Sequence, residues 1–203
     1  MVQLPQLPRI RCIPQVPLVT SIIATMSIFL LLAMLQTAHA GGLSQRAVGT
    51  MANFTPLPKP LPVPLITFRD GNGQERGLAD FAGKVVLINF WATWCGPCRR
   101  EMPDLDKLQA RRGGTEFTVL ALSSDRKGLE VVQKFYREYK IRNLDSFIDK
   151  TGKAQRAFGV YGLPTSVLID ARGRVVGRLV GPAEWSSGEA IALINHVIAN
   201  GGH

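Results

Sequence analysis

The chain has 203 residues and a formal net charge of +9, long enough for one ordinary domain with appendages, so a single core is expected. Its basic residues are dispersed and no recognised binding motif accompanies them. The charge therefore reads as a solvated exterior suited to an acidic partner or anionic lipid headgroups, not to nucleic acid.

The first forty residues carry Arg9 and Arg11 and no acid. An uncharged apolar run follows from Leu18 to Leu35, then Ala38-His39-Ala40 before Gly41-Gly42. This is the pattern of an export segment. The small residues suit cleavage of a signal peptide, whereas a helix over the run would be about 27 Å long and nearly span a bilayer. A removed leader and a retained membrane anchor both stay open for residues 1–40. Either way the arginines remain on the cytoplasmic side and the bulk of the chain crosses. Cys12 precedes the apolar run, in the wrong place for lipid attachment, so the exported part holds only Cys95 and Cys98. Arg9 and Arg11 are the two basic residues before Gly41 and all acidic ones lie after it, which leaves the part from Gly41 onward at +7.

Pro56, Pro58, Pro60, Pro62 and Pro64 alternate with other residues. Such a stretch favours an extended linker of about 3.1 Å per residue; an edge segment lying on the domain is the alternative. The expected organisation is thus a leader or anchor at 1–40, a Pro-rich linker at 41–60 and a domain at 61–203.

Within that domain, Leu65–Phe68 and Arg76–Leu78 flank Asp70-Gly71-Asn72-Gly73 and predict a hairpin. Val85–Trp91 is short, apolar and β-branched, as a buried parallel strand should be. Helical spacing of Met102, Leu105 and Leu108 predicts a helix over Cys98–Arg111, and Phe117–Ser123 reads as the next strand. Leu129–Tyr139 is a second helix with Val132, Phe135 and Tyr139 on one face. Beyond it come a short strand at Ser146–Ile148, a short helix at Lys153–Phe158, a hairpin of Thr165–Ile169 and Arg174–Leu179 across Asp170-Ala171-Arg172-Gly173, and a final helix at Glu184–Ala199. No internal repeat is evident.

Trp94-Cys95-Gly96-Pro97-Cys98 sits where the first buried strand hands over to a helix. There, free N–H groups and the helix dipole stabilise a thiolate, the species that attacks disulfides. Lowering a cysteine pKa from about 8.5 to about 7 needs only about 2 kcal/mol. A zinc site would need four ligands, and the chain offers only Cys12, His39, His196 and His203 besides this pair. A purely structural disulfide across two residues removes little unfolded-state entropy. Redox chemistry is the reading that remains, and no metal or separate cofactor is expected.

The segment from Leu87 to Pro103 resembles the active-site region of the thioredoxin superfamily in its TlpA/ResA-like branch, as do Gly83–Leu87, Tyr161-Gly162-Leu163-Pro164-Thr165 and Gly181–Trp185 in the same order. The likeness runs from about Leu61 to the C-terminus. It implies an α/β thioredoxin fold: a central mixed β-sheet flanked by helices, with an N-terminal hairpin and a helix-strand insertion. It implies that Cys95 attacks a substrate disulfide and Cys98 resolves the mixed disulfide, the pair cycling through its own bond. It further implies a cis Leu163–Pro164 peptide, with Leu163 as the edge that meets substrate, and Trp94, Gly96 and Pro97 as substrate-facing residues. Glu101 matches a glutamate near the active site of ResA-like proteins and is a candidate to exchange a proton with Cys98; an acid that merely complements the helix dipole is the alternative. Asn89 departs from ordinary thioredoxin, which has a buried aspartate there.

By the same resemblance the chain would be a protein-disulfide reductase in the periplasm or on the periplasmic face of a bacterial cytoplasmic membrane. Its substrates would be disulfide-bearing envelope proteins, in cytochrome c maturation or in assembly of a respiratory oxidase copper centre, and a membrane thiol reductase would supply electrons. The rivals are a DsbA-like oxidant, a thiol peroxidase, whose Pro-x-x-x-Thr-x-x-Cys pattern is missing, and a copper-binding chaperone.

Overall fold

The structure, a computed structural model, describes residues 42–201. The segment read as leader or anchor, with Arg9, Arg11, Cys12 and the apolar run, lies outside them. In chain order the elements are α1 (Leu43–Arg46), a 3-10 turn (Gly49–Met51), β1 (Phe54–Pro62), β2 (Thr67–Asp70), β3 (Glu75–Gly77), a second 3-10 turn (Leu78–Phe81), β4 (Val85–Trp91), α2 (Gly96–Arg112) and β5 (Phe117–Ser123). They continue with α3 (Leu129–Glu138), β6 (Phe147–Ile148), α4 (Lys153–Ala157), β7 (Thr165–Ile169), β8 (Arg174–Val180) and α5 (Gly188–Gly201).

All eight strands form one sheet in the order β1-β8-β7-β4-β5-β6-β2-β3. β4 runs parallel to β5 and antiparallel to β7, and every residue of β4 is buried. Its apolar run is unbroken because both faces of the sheet are covered. Side chains alternate between the faces. Leu87 and Trp91 join Cys98, Met102, Leu105 and Leu108 of α2 and Leu193 of α5 in one core, while Val86, Ile88 and Phe90 join Phe158, Val167 and Ile169 in the other. That alternation puts Asn89, between Ile88 and Phe90, on the α2 side. Ser166, its register partner in β7, falls on the same side because Leu168 does.

The two hairpin turns use one device. Asp70 and Asp170 each accept backbone N–H bonds from the second and fourth residues beyond them, and the fourth turn residue, Gly73 or Gly173, has positive φ. Aspartate organises the turn and glycine supplies the left-handed backbone. β6 pairs with both β5 and β2, which ties the N-terminal hairpin into the sheet.

The Pro-rich stretch is not a linker. Residues 54–62 form β1, the sheet's edge strand, paired antiparallel with β8. An edge strand presents one row of N–H groups to solvent, so prolines at alternate positions need not remove ladder bonds. α1 and the first 3-10 turn also belong to the domain: Met51 is wholly buried and the Thr50 and Ser187 hydroxyls lie 2.8 Å apart. The folded unit therefore begins near residue 43, not 61.

β1 is held in part by Phe54, whose ring lies over Gly177 of β8. A Cβ on Gly177 would meet that ring at 2.4 Å and the Thr55 carbonyl at 2.9 Å. Gly177→Ala is therefore expected to destabilise the domain by about 1–3 kcal/mol through overpacking. Urea unfolding should show a lower midpoint at an unchanged slope; an unchanged midpoint would mean that β1 does not rest on β8 in solution.

The last helix also starts later than its apolar pattern predicts, at Gly188 instead of Glu184. Ser187 caps it, its hydroxyl accepting the Ala190 N–H at 3.2 Å. Residues 182–186 are left outside the helix, where they serve the site described next.

Candidate active site

β4 and β5 end side by side at Trp91 and Ser123, and the loops beyond them converge, as ligand and catalytic loops do at the carboxyl ends of parallel strands. Cys95 is the N-cap of α2. Its Sγ accepts the Cys98 N–H at 3.3 Å, and its carbonyl accepts the Arg99 N–H, the first bond of the helix. Pro97 lies in the first turn, where a missing N–H costs nothing. Cys95 and Cys98 are joined by a disulfide. Cys98 is wholly buried, whereas Cys95 keeps 6% of its surface exposed.

A hollow of about 430 Å³ opens over the disulfide, lined by Trp94, Cys95, Gly96, Pro97, Tyr161 and Leu163 with their neighbours Gln155 and Gly162. Cys98 does not reach it. Trp94 is 70% exposed and Tyr161 95% exposed, so two aromatic side chains flank the hollow without partners in the core. The Leu163–Pro164 peptide is cis. Its loop is pinned by the Thr165 hydroxyl on the Gly162 carbonyl at 2.8 Å and by the Gly181 N–H on the Pro164 carbonyl at 2.9 Å. Leu163 thus stands just before the β7 ladder begins, beside the cysteines. A larger concavity, of about 800 Å³, lies where β4 begins and is lined by Val63, Leu65, Phe81 and Val86; it holds no cysteine.

Glu101 lies on the stripe of α2 that faces the core, with Cys98, Met102 and Leu105. It is buried, not a solvent-facing acid of the first turn. One carboxylate oxygen accepts Asn89 Nδ2 at 2.7 Å and the other accepts the Ala183 N–H at 3.1 Å. The same Asn89 nitrogen reaches Ser166 Oγ at 2.9 Å. Burial pushes Glu101 up to about 7, helped by nearby Asp104 and opposed by the Asn89 and Ala183 donors. The Trp185 indole N–H also favours the charged carboxylate, although it closes no hydrogen bond of full geometry.

Three contributions to the site are given no role by the sequence, although Gly181–Trp185 is among the segments that carry the family resemblance. Asp125, buried after β5, accepts the Thr93 N–H at 2.9 Å, the Thr93 hydroxyl at 2.8 Å and the Ser123 hydroxyl at 2.7 Å. It fixes the loop that delivers Trp94 and Cys95. Ser166 completes the Asn89 pair, and residues 182–186 bring Ala183 and Trp185 against Glu101. Only position could have flagged Asp125, as a residue just past a parallel strand adjacent to β4. Arg99 is not a free charge: it hydrogen-bonds the Tyr139 hydroxyl and lies 5.2 Å from that ring's centre.

The sequence profile of the Redoxin family matches residues 59–193. The thiol-disulfide oxidoreductase ResA of Bacillus thuringiensis subsp. konkukian is 36% identical over 118 residues, which cover 58% of this chain and 67% of that protein. A protein of Chlorobium tepidum, described provisionally as a thiol:disulfide interchange protein DsbE, superposes with a TM-score of 0.62 at 31% identity, over 70% of this chain and 99% of that one. The exposed lipoprotein thioredoxin Etrx1 of Streptococcus pneumoniae gives 0.54 at 28% identity, over 66% of this chain and 98% of its own.

Proposed function

The chain belongs to the Redoxin family and is a thiol:disulfide oxidoreductase of thioredoxin fold, and on that footing we propose that it reduces disulfides of proteins outside the bacterial cytoplasmic membrane. The observation that carries this reading is the asymmetry of the pair: Cys95 opens on the hollow beside Leu163 and Pro164, and Cys98 lies wholly beneath it.

In the reduced protein the Cys95 thiolate attacks one sulfur of a substrate disulfide. A Cys95–substrate bond forms, and the substrate's own S–S bond breaks, releasing its other sulfur as a thiolate. Cys98 loses its proton and attacks Cys95 Sγ, which forms the Cys95–Cys98 disulfide and frees the second substrate sulfur. Two electrons have passed to the substrate. Glu101, one turn beyond Cys98 on the same face, takes the Cys98 proton. The Leu163 backbone meets the substrate chain, and Trp94, Gly96 and Pro97 form the surface around the attacked bond.

The substrates in this reading are envelope proteins, of the kind processed in cytochrome c maturation or in assembly of a respiratory oxidase copper centre. A membrane thiol reductase returns the electrons. The export pattern before residue 41 supports that location, with residues 1–40 as leader or anchor, and the S. pneumoniae relative is itself described as an exposed lipoprotein.

The reduction potential tests the direction. Thioredoxin lies near about −270 mV and DsbA near about −120 mV, a gap of about 7 kcal/mol for two electrons. A value nearer thioredoxin's is expected, read by thiol trapping in dithiothreitol or glutathione buffers. A value near DsbA's, with substrates accumulating disulfides in cells, would make the chain an oxidant instead.

A further inference from the structure

Asn89 Oδ1 is buried and has no hydrogen-bond partner, although both hydrogens of the same amide are used, on Glu101 Oε1 and Ser166 Oγ. The surroundings of Glu101 explain why that matters. From β4 the carboxylate meets Asn89 Nδ2, from the loop before α5 it meets the Ala183 N–H and the Trp185 indole N–H, and from its own helix Asp104. The neutral groups that face it are all donors in this arrangement. An ionised Glu101 is matched to them. A protonated Glu101 is not, because its O–H would point at another N–H and find no acceptor.

Backbone and indole N–H groups donate only, whereas a carboxamide offers a donor on one side and an acceptor on the other, and a hydroxyl does both. Of the groups hydrogen-bonded to Glu101, Asn89 alone can change sides. We propose that Asn89 is a two-position amide switch: its NH₂ faces Glu101 and Ser166 while Glu101 is ionised, and its C=O faces them once Glu101 holds a proton.

In the second position the Glu101 O–H and the Ser166 O–H both donate to Asn89 Oδ1, and the Ser166 hydroxyl, an acceptor before, has reversed. The NH₂ in turn takes the buried place that Oδ1 now holds without a partner. The switch makes Asn89 a positioning residue for the proton that Glu101 exchanges with Cys98, so it rests on the proposed role of Glu101. Each proton taken from the Cys98 thiol turns the amide one way, and its release turns it back. The position of Glu101 near 7 fits a carboxyl held between burial, which favours the neutral form, and a donor set that favours the ion.

The test is ¹³C and ¹⁵N NMR of the full chain in detergent, with labelled Glu and Asn, titrated from pH 5 to pH 9. The Asn89 side-chain signal, assigned by its loss in Asn89→Asp, is expected to shift in one step at the same midpoint as Glu101 Cδ, and to stay flat in Glu101→Gln. Turnover gives an independent readout. Asn89→Leu, which can neither donate nor accept, should slow the resolving step about tenfold and displace its pH profile, and Glu101→Gln added to it should cost little more, as expected of two residues acting as one unit. A flat Asn89 signal while Glu101 titrates overturns the switch and leaves the role of Glu101 standing. Joint titration with turnover indifferent to Glu101→Gln upholds the switch and removes that role. Should Asn89→Leu fail to fold, the titration of the unaltered chain decides alone.

Discussion

Cys95→Ser is expected to abolish disulfide exchange, a loss on the order of a thousandfold or more, as for removal of any covalent nucleophile. Cys98→Ser should fail differently. It keeps the attacking thiol but cannot resolve the mixed disulfide, so substrates accumulate on Cys95 and can be recovered from cells as covalent adducts. The burial of the pair sets a second difference. Cys95 lines the hollow and its Sγ accepts the Cys98 N–H, whereas Cys98 has no exposed surface. In the reduced chain iodoacetamide should therefore modify Cys95 much faster than Cys98, with a midpoint in pH below the free-cysteine value of about 8.5. Mass mapping of the alkylated peptides measures both rates. Equal rates, faster loss of Cys98, or adducts trapped by Cys95→Ser would reverse the assignment.

The elements that the sequence announces clearly are those whose environment is uniform along their length. β4, β5 and β7 run over Val85–Trp91, Phe117–Ser123 and Thr165–Ile169, the bounds read from their apolar runs, because each is covered on both faces and needs no polar position for solvent. The aspartate–glycine turns are local devices and are equally plain. The Pro-rich segment is ambiguous for a physical reason: an edge strand and an extended linker share the same backbone region, and what separates them is a partner, β8, more than a hundred residues away. The start of α5 fails similarly. Trp185 continues the helical apolar pattern, yet it lies before the helix, where it and the neighbouring Ala183 cover Glu101.

The site divides along the same line. The cysteine pair, Pro164 and Trp94 are adjacent in sequence or carried by a motif. Glu101 can be placed on the Cys98 side of a helix by spacing alone, but its burial is set by three other elements: β4 with Asn89, β7 with Ser166 behind it, and the loop with Ala183 and Trp185. No local pattern distinguishes such an acid from one that complements a helix dipole. Strand alternation does at least say that Asn89 faces α2, which makes the polar interruption of a wholly apolar strand a pointer to a partner on that helix.

That burial has a measurable consequence for stability. Glu101 ionises near 4.5 in the unfolded chain and near about 7 in the oxidised native state. Below about pH 4.5 both states hold the proton and the group favours neither. Between the two values the native state keeps the proton and the unfolded state releases it, so stability falls as pH rises. Above about pH 7 both are ionised and the loss is complete, on the order of 3 kcal/mol at 1.36 kcal/mol per pKa unit. Glu101→Gln, which is neutral throughout, should remove this slope. Urea unfolding of the oxidised protein at pH 5 and pH 8 is expected to show the unaltered chain losing about 2.5 kcal/mol more than Glu101→Gln across that interval, the rest of the loss lying below pH 5. Parallel pH dependences for the two proteins would mean that Glu101 titrates as an ordinary surface acid, and would take with it the proton transfer from Cys98.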